Sequence, residues 1–351
     1  TPRSTVPVSK IVRVTTPDGT LGSVKLVAGP RRTPVAGTLS PDGTAWVASE
    51  RLEPGTKYRL TAVAADASGA KTTEHQVFRA QPLTLDQQTY PSIAPLAGQT
   101  VGVGMPVIVR FDVPVTRRAS IERHLHVTTQ PAQVGSWHWI SNNEVHWRPR
   151  HYWKAGTTVT VHADVNSIPA GNGIFGQLSR TVKFQIGSRV IDRININTHH
   201  MKVFKDGKLL RSIPISAGMP GFITRSGIKV IIQKYRHIEM KSSTIGISNP
   251  SSPNFYDIPV DYALRVTYSG EFLHAAPWQG GNQGVANVSH GCVGMSTENA
   301  IWFFALSKVG DVVDVTGSDR QMTLTNGYGD WTETFAQYQK GSALYHPTTA
   351  G

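Results

Sequence analysis

Trp153-Lys154-Ala155-Gly156-Thr157-Thr158-Val159-Thr160-Val161 follows the same pattern as Leu52-Glu53-Pro54-Gly55-Thr56-Lys57-Tyr58-Arg59-Leu60. Each run opens on a bulky apolar residue, turns at a Gly-Thr corner and then alternates side-chain character. Each also follows a tryptophan, Trp46 or Trp147, at the same spacing. Period-two alternation marks a half-buried strand, and glycine reaches the backbone angles of a sharp corner. The two copies lie about one sandwich length apart, roughly 100 residues. A supersecondary unit repeated at that distance implies two copies of one small β-domain.

The surrounding residues support this reading. Ile11–Thr15, Ser23–Val27, Thr44–Ser49 and Lys57–Asp66 are candidate strands, and Pro17–Gly19 and Pro41–Gly43 supply turn chemistry between them. We therefore expect two tandem immunoglobulin-like β-sandwiches, residues 1–82 and 83–188. In the second, Trp137 and Trp139 share one strand face, and Ser141-Asn142-Asn143 makes a hairpin turn. A sugar-stacking platform is one reading of these aromatics together with Trp147 and Trp153. Core packing is the expected one, because buried Trp is ordinary in sandwiches.

The texture changes after Gly187. Ile191–Asn197, Met201–Phe204, Ser212–Ser216, Ile228–Gln233, His237–Met240 and Asp311–Val315 are candidate strands of a third, mainly β domain, residues 189–316. The stretch Lys241–Tyr256 is long and polar, as binding loops and lids are. Ser296 caps an expected helix Thr297–Ser307 with Glu298 in its first turn. Residues 317–351, with Gly327-Tyr328-Gly329-Asp330-Trp331, read as an extension packed back onto the body.

Bulk composition excludes several classes. With 39% hydrophobic residues among 351, the chain can bury real cores. It has no apolar run of about 18 residues, so no transmembrane helix is expected. It begins at Thr1 on a Pro/Ser/Thr stretch, as a processed or truncated terminus would, so any export signal is expected upstream. The net charge of +12 favours anionic partners such as an anionic cell envelope. The basic residues are scattered, densest at Arg31-Arg32, Arg117-Arg118 and Arg148-Pro149-Arg150, and read as solvated faces. No nucleic-acid motif accompanies them, so no nucleic-acid partner is expected.

The single cysteine lies in Ser289-His290-Gly291-Cys292-Val293-Gly294. No intramolecular disulfide is possible. A thiol nucleophile needs an imidazole to take its proton, and approachable glycine amides can stabilise an oxyanion. His290 and, upstream, His274 in Gly270-Glu271-Phe272-Leu273-His274 both qualify on composition. The residues alone leave Cys–His catalysis and a structural role both open. His199-His200 has no ligand spacing, and neither a metal nor a cofactor is expected.

Residues Arg189 to Thr316 resemble the L,D-transpeptidase (YkuD) catalytic domain. The resemblance rests on His274, then about fifteen residues, then Ser289-His290-Gly291-Cys292-Val293. It extends to Met201-Lys202-Val203-Phe204-Lys205-Asp206-Gly207-Lys208 through Ser216-Ala217-Gly218 and to the aromatic helix with Trp302-Phe303-Phe304. Two immunoglobulin-like domains before it and a Gly-Asp-Trp tail after it resemble the mycobacterial members.

The resemblance implies that Cys292 is the nucleophile and His274 the general base, with the Ala275 carbonyl holding the far imidazole nitrogen and His290 shaping the turn. It implies substrate-side roles for the lid residues Met240 and Tyr256, for Ser269, Gly270, Trp278 and Asn287, and for Ser289, Gly291 and Gly294 around the thiol. Its substrates are peptidoglycan stem tetrapeptides as donor and acceptor, and carbapenem β-lactams are its covalent inhibitors. It places the protein outside the membrane, in periplasm or wall, with membrane contact only through an upstream anchor. Two positions depart from the pattern. Gly294 replaces a usual polar residue, so Gly294→Asn is expected to restore some rate provided φ there is not positive. Ile245 stands where relatives can carry a lid tyrosine. Two rivals share the chemistry or the site: a carboxypeptidase using water as acceptor, and a wall-binding module with a weak site.

Overall fold

In a computed structural model, residues 5–347 are described. The terminus expected to be processed at Thr1 therefore lies outside the described residues. The chain clusters into two compact units. One takes the chain through Ser92 with Arg110–Leu125 and His162–Arg180; the other takes Ile93–Val109, His126–Val161 and Thr181 onward.

In the first unit a five-stranded sheet contains Thr20–Ala28, Lys57–Ala65 and Lys71–Ala80, and a three-stranded sheet contains Ile11–Thr15 and Ala45–Arg51. Leu26, Trp46, Leu52 and Tyr58 fill the core between them. Burial of several such side chains, at about 1.5–3 kcal/mol each, drives the sandwich together.

The two Gly-Thr corners are alike in three dimensions. Gly55 and Gly156 both take a left-handed backbone, at φ +66° and +76°. Leu52 and Trp153, ahead of them, are each 1% exposed. In the second unit Gly135–Trp139 pairs antiparallel with Glu144–Pro149, setting Trp137 against Trp147 in register. Trp137, Trp139, Trp147 and Trp153 are all buried, so packing rather than a sugar platform is their role.

One expectation fails here. Arg148 is 1% exposed, not solvated. Its guanidinium lies over the rings of Tyr338 and Trp331, 4.3 and 4.5 Å from their centroids, and donates to the Glu333 carbonyl at 2.9 Å. Stacking and hydrogen bonding by a planar cation offset its lost hydration. Beside it, the tail residue Asp330 bonds His146, and the Trp331 indole donates to the Gly104 carbonyl at 2.7 Å.

The rest of the second unit holds a five-stranded sheet, in spatial order Lys208–Pro214, His200–Lys205, Val190–Asn195, Val312–Thr316, Gly227–Val230. A four-stranded sheet runs Gln233–Lys241, Asp257–Arg265, Phe272–Ala275, Val293–Met295. Their apolar faces and the helix Thr297–Leu306 enclose one core that includes Met201, Ile213, Leu264, Leu273, Met295 and Phe303. Ser296 caps the helix as expected, accepting from the Asn299 amide. No helix among the described residues is long and apolar enough to cross a membrane.

Candidate active site

The last two strands of the four-stranded sheet are parallel, with His274 opposite Gly294 and Leu273 opposite Val293. Cys292 immediately precedes the second of them. Two stretches about twenty residues apart in sequence are thereby fixed side by side by backbone pairing, which carries the imidazole and the thiol to one side of the sheet. Gly291, at φ +118°, makes the turn before the thiol and is a position that favours glycine. Ser289 locks that turn: its hydroxyl donates to the Cys292 carbonyl at 2.6 Å and accepts the Gly291 amide at 3.1 Å. The Gly291 amide is thus committed within the turn.

His274 is buried, and its Nδ1 lies 2.7 Å from the Ala275 carbonyl. A carbonyl only accepts, so Nδ1 carries the proton and Nε2 of the neutral ring is a lone-pair base. Burial lowers the imidazole's pKa against the opposing pull of the Ala275 carbonyl, which keeps the ring neutral near pH 7. Desolvation pushes the Cys292 thiol up to about 12. At rest the thiol donates to the Gly270 carbonyl at 3.6 Å. The resting pair is therefore thiol and neutral imidazole rather than an ion pair.

Cys292 and His274 line a cavity of about 290 Å³ with Met240, Tyr256, Trp278, Ser289 and His290. These are residues expected from the sequence. Gln279, Asn282, Val288 and Ile258 complete the wall and were not anticipated. His290 also borders a second cavity of about 390 Å³, lined by Ser269, Gly270, Ile245, Arg225 and Glu271 among others. The His290 ring packs between Phe222 and Tyr256, with centroids 4.6 and 5.2 Å away. It is a partition between the two spaces. Tyr256 is half-buried, and desolvation raises its phenol to about 12, so it stays a donor at neutral pH.

The polar stretch 241–256 is the loop of the hairpin between Gln233–Lys241 and Asp257–Arg265. Its neck is pinned where the Ser242 amide donates to the Tyr256 carbonyl at 2.9 Å and the Tyr256 amide to the Ser242 hydroxyl at 3.1 Å. The returning arm of the loop is held to the site by Asn254, whose Oδ1 lies 3.3 Å from His290 Nε2.

Asn287 is not brought to the cavity. Its carboxamide is spent on the fold: Oδ1 accepts from the Ala217 amide and His199, and Nδ2 donates to the Ile196 carbonyl. Gly294 has no left-handed φ, so backbone strain does not explain its glycine. A Cβ there would lie 2.3 Å from Gln279 Oε1 and 2.8 Å from the Ala276 methyl. That corrects the expectation for Gly294→Asn, because the volume is already occupied.

Sequence reasoning also missed a buried charge cluster under the thiol. Glu271 receives Lys229 at 2.6 Å on Oε2 and Arg225 at 2.9 Å on Oε1. Burial lowers the Lys229 pKa, with Glu271 opposing. A buried carboxylate between two cations is the arrangement in which buried charge is tolerated. Among the described residues, no group of three or more His, Cys, Asp or Glu is placed to hold a metal ion.

A thiol and an oriented imidazole that line one cavity beside a hairpin loop are the parts that thiol-based acyl transfer needs. Residues 190–315 match the L,D-transpeptidase catalytic domain, and residues 3–169 match a bacterial Ig domain. L,D-transpeptidase 2 of Mycobacterium tuberculosis is 39% identical over 339 residues, covering 96% of this chain and 82% of that protein. L,D-transpeptidase 5 of the same species is 34% identical, covering 89% of this chain and 69% of that protein. A solved L,D-transpeptidase in complex with imipenem matches with TM-score 0.57 and 37% identity over 64% of this chain and 97% of its own. L,D-transpeptidase 3 of M. tuberculosis, solved with a faropenem-derived adduct, matches with TM-score 0.54 and 33% identity over 64% of this chain and 97% of its own. This chain belongs to the L,D-transpeptidase family, and it is an enzyme of that class.

Proposed function

We propose that Cys292 is the acyl-carrying nucleophile of a peptidoglycan L,D-transpeptidase and that His274 is its base. The observation that carries this reading is the 2.7 Å bond from His274 Nδ1 to the Ala275 carbonyl, which leaves Nε2 as the basic nitrogen in the cavity of Cys292. The thiol proton passes to Nε2 as sulfur attacks the carbonyl carbon of the third residue of a stem tetrapeptide. The C–N bond to the terminal D-alanine breaks, and the imidazolium returns the proton to the departing amine. The resulting thioester is attacked by the side-chain amine of the third residue of a second stem. The C–S bond then breaks, the thiol is restored, and a third-to-third cross-link remains. Tyr256 covers the acyl group, and its hydroxyl donates to the developing oxyanion, since the Gly291 amide is occupied.

The domain arrangement of this reading is 1–82 and 83–188 as wall-directed immunoglobulin-like modules, 189–316 as the catalytic domain and 317–351 as a bracing extension. It works outside the membrane, in periplasm or wall. Incubation with a tetrapeptide-bearing wall fragment tests it. D-alanine release together with cross-linked dimer is expected. Release with only tripeptide product would make the enzyme a carboxypeptidase, and no release would overturn the reading.

A further inference from the structure

Gln279 stands at the end of the short turn of helix Pro277–Gln279, directly after Trp278. Its side chain is 8% exposed, and it lines the cavity of Cys292 and His274. Its Oε1 is buried and has no hydrogen-bond partner among the described residues. An amide oxygen stripped of water and left without a donor is costly, so such groups call for an explanation. The fold has made room for this one. Oε1 lies 2.3 Å from where a Cβ of residue 294 would be, so any residue other than glycine would drive the carboxamide away. Gly294 is fixed in turn by strand pairing opposite His274 and by reciprocal backbone bonds with Ser216. The orphan oxygen is thus held beside the catalytic strand pair by a glycine that has no backbone-angle reason to be one.

We propose that Gln279 is a substrate-binding residue whose Oε1 accepts an N–H from a stem peptide during acyl transfer, and that Gly294 is its permissive partner. This rests on the transpeptidase reading above. The chemistry recognised is a hydrogen-bond donor on nitrogen, and two sources carry one: a backbone amide of the acyl-donor stem and the amine of the acceptor. Because Oε1 is buried against Gly294, engagement turns the carboxamide toward the cavity that Gln279 lines, and either donor satisfies it only when substrate is bound, which is the condition for differential binding.

The test compares wild type with Gln279→Met, which keeps length while deleting the carboxamide, and with Gly294→Ala, which displaces it. Thermal melts of each establish folding. Two quantities are read on a tetrapeptide substrate: kcat/KM for D-alanine release, and the partition of the acyl-enzyme between amine and water as acceptor concentration is raised. A loss of about 3- to 10-fold in release at unchanged partition assigns Oε1 to a donor-stem amide. A loss of about 10- to 100-fold in partition toward the cross-link, at unchanged release, assigns it to the acceptor amine, whose charged form makes the stronger bond. Folded Gln279→Met with both quantities at wild-type values overturns this inference while leaving the transpeptidase reading intact. A wild-type protein that releases no D-alanine overturns that reading and this inference with it.

Discussion

His274 and Ala275 are adjacent in sequence, and the imidazole of the first donates to the carbonyl of the second at 2.7 Å. This local bond sets the tautomer on which the proposed chemistry depends. Burial lowers the ring's pKa, so the base-competent neutral form persists below the ordinary value of 6.5. The rate of β-lactam acylation should therefore fall on the acid side with a midpoint below 6.5. A stopped-flow pH profile whose acidic midpoint lies above 6.5 would contradict the neutral-base assignment.

His274→Ala should slow acylation of Cys292 by roughly 10²–10⁴-fold, the usual worth of a general base. His290→Ala should act by joining the two cavities and loosening the loop through Asn254, and so should cost less in rate. Rates for both with one carbapenem check the order. A dominant His290 with a silent His274 would reverse the roles.

Tyr256→Phe keeps the ring against His290 and removes only the hydroxyl, which its raised pKa keeps protonated. If the hydroxyl meets the oxyanion, acylation should slow by about 10²-fold. An unchanged rate would leave Tyr256 as packing alone.

His146 is a stability determinant far from the thiol. Its Nδ1 meets Asp330 at 2.9 Å and its Nε2 meets Glu144 at 2.7 Å, so both nitrogens face acceptors and the ring is an imidazolium. Burial opposes that charge, but Asp330 and then Glu144 outweigh it and the pKa rises to about 9. A pKa raised on folding contributes stability that is full below pH 6.5 and is lost as pH rises through about 9. Melting temperature should drop between about pH 6.5 and 9, and less so in His146→Ala. That variant should itself lose about 3–5 kcal/mol at pH 7, because it strands the buried Asp330. Parallel pH dependence in the two proteins would contradict the ion pair.

Glu271→Ala should cost a similar 3–5 kcal/mol by leaving Lys229 buried without its carboxylate. Double replacement with Lys229→Met should recover much of it. Denaturant melts of the single and double variants measure this, and equal stability of the two would refute the pairing.

The parts legible in sequence were those with local signals. The Gly-Thr corners at Gly55 and Gly156 announce their turns, Ser296 its helix and the Ser289–Gly294 run its thiol. The long strand Asp257–Arg265 escaped notice because its apolar and polar residues do not alternate cleanly where it crosses from loop neck to core. Arg148 was misread because nothing in Arg148-Pro149-Arg150 shows the aromatic rings that the tail brings over it from nearly two hundred residues away. Glu271, Lys229 and Arg225 meet only through sheet assembly, and Gln279 gains its meaning only beside Gly294. Spacing cannot report such encounters. Asn287 shows the converse, a residue placed by pattern beside the thiol whose carboxamide the fold consumes.

Cys292 is proposed to carry the acyl group. Intact mass of wild type and Cys292→Ala after incubation with a carbapenem tests it most directly. One adduct is expected on the wild type, mapped to Cys292, and none on a folded Cys292→Ala. An adduct that persists in the variant, or a wild type that stays unmodified, would contradict it.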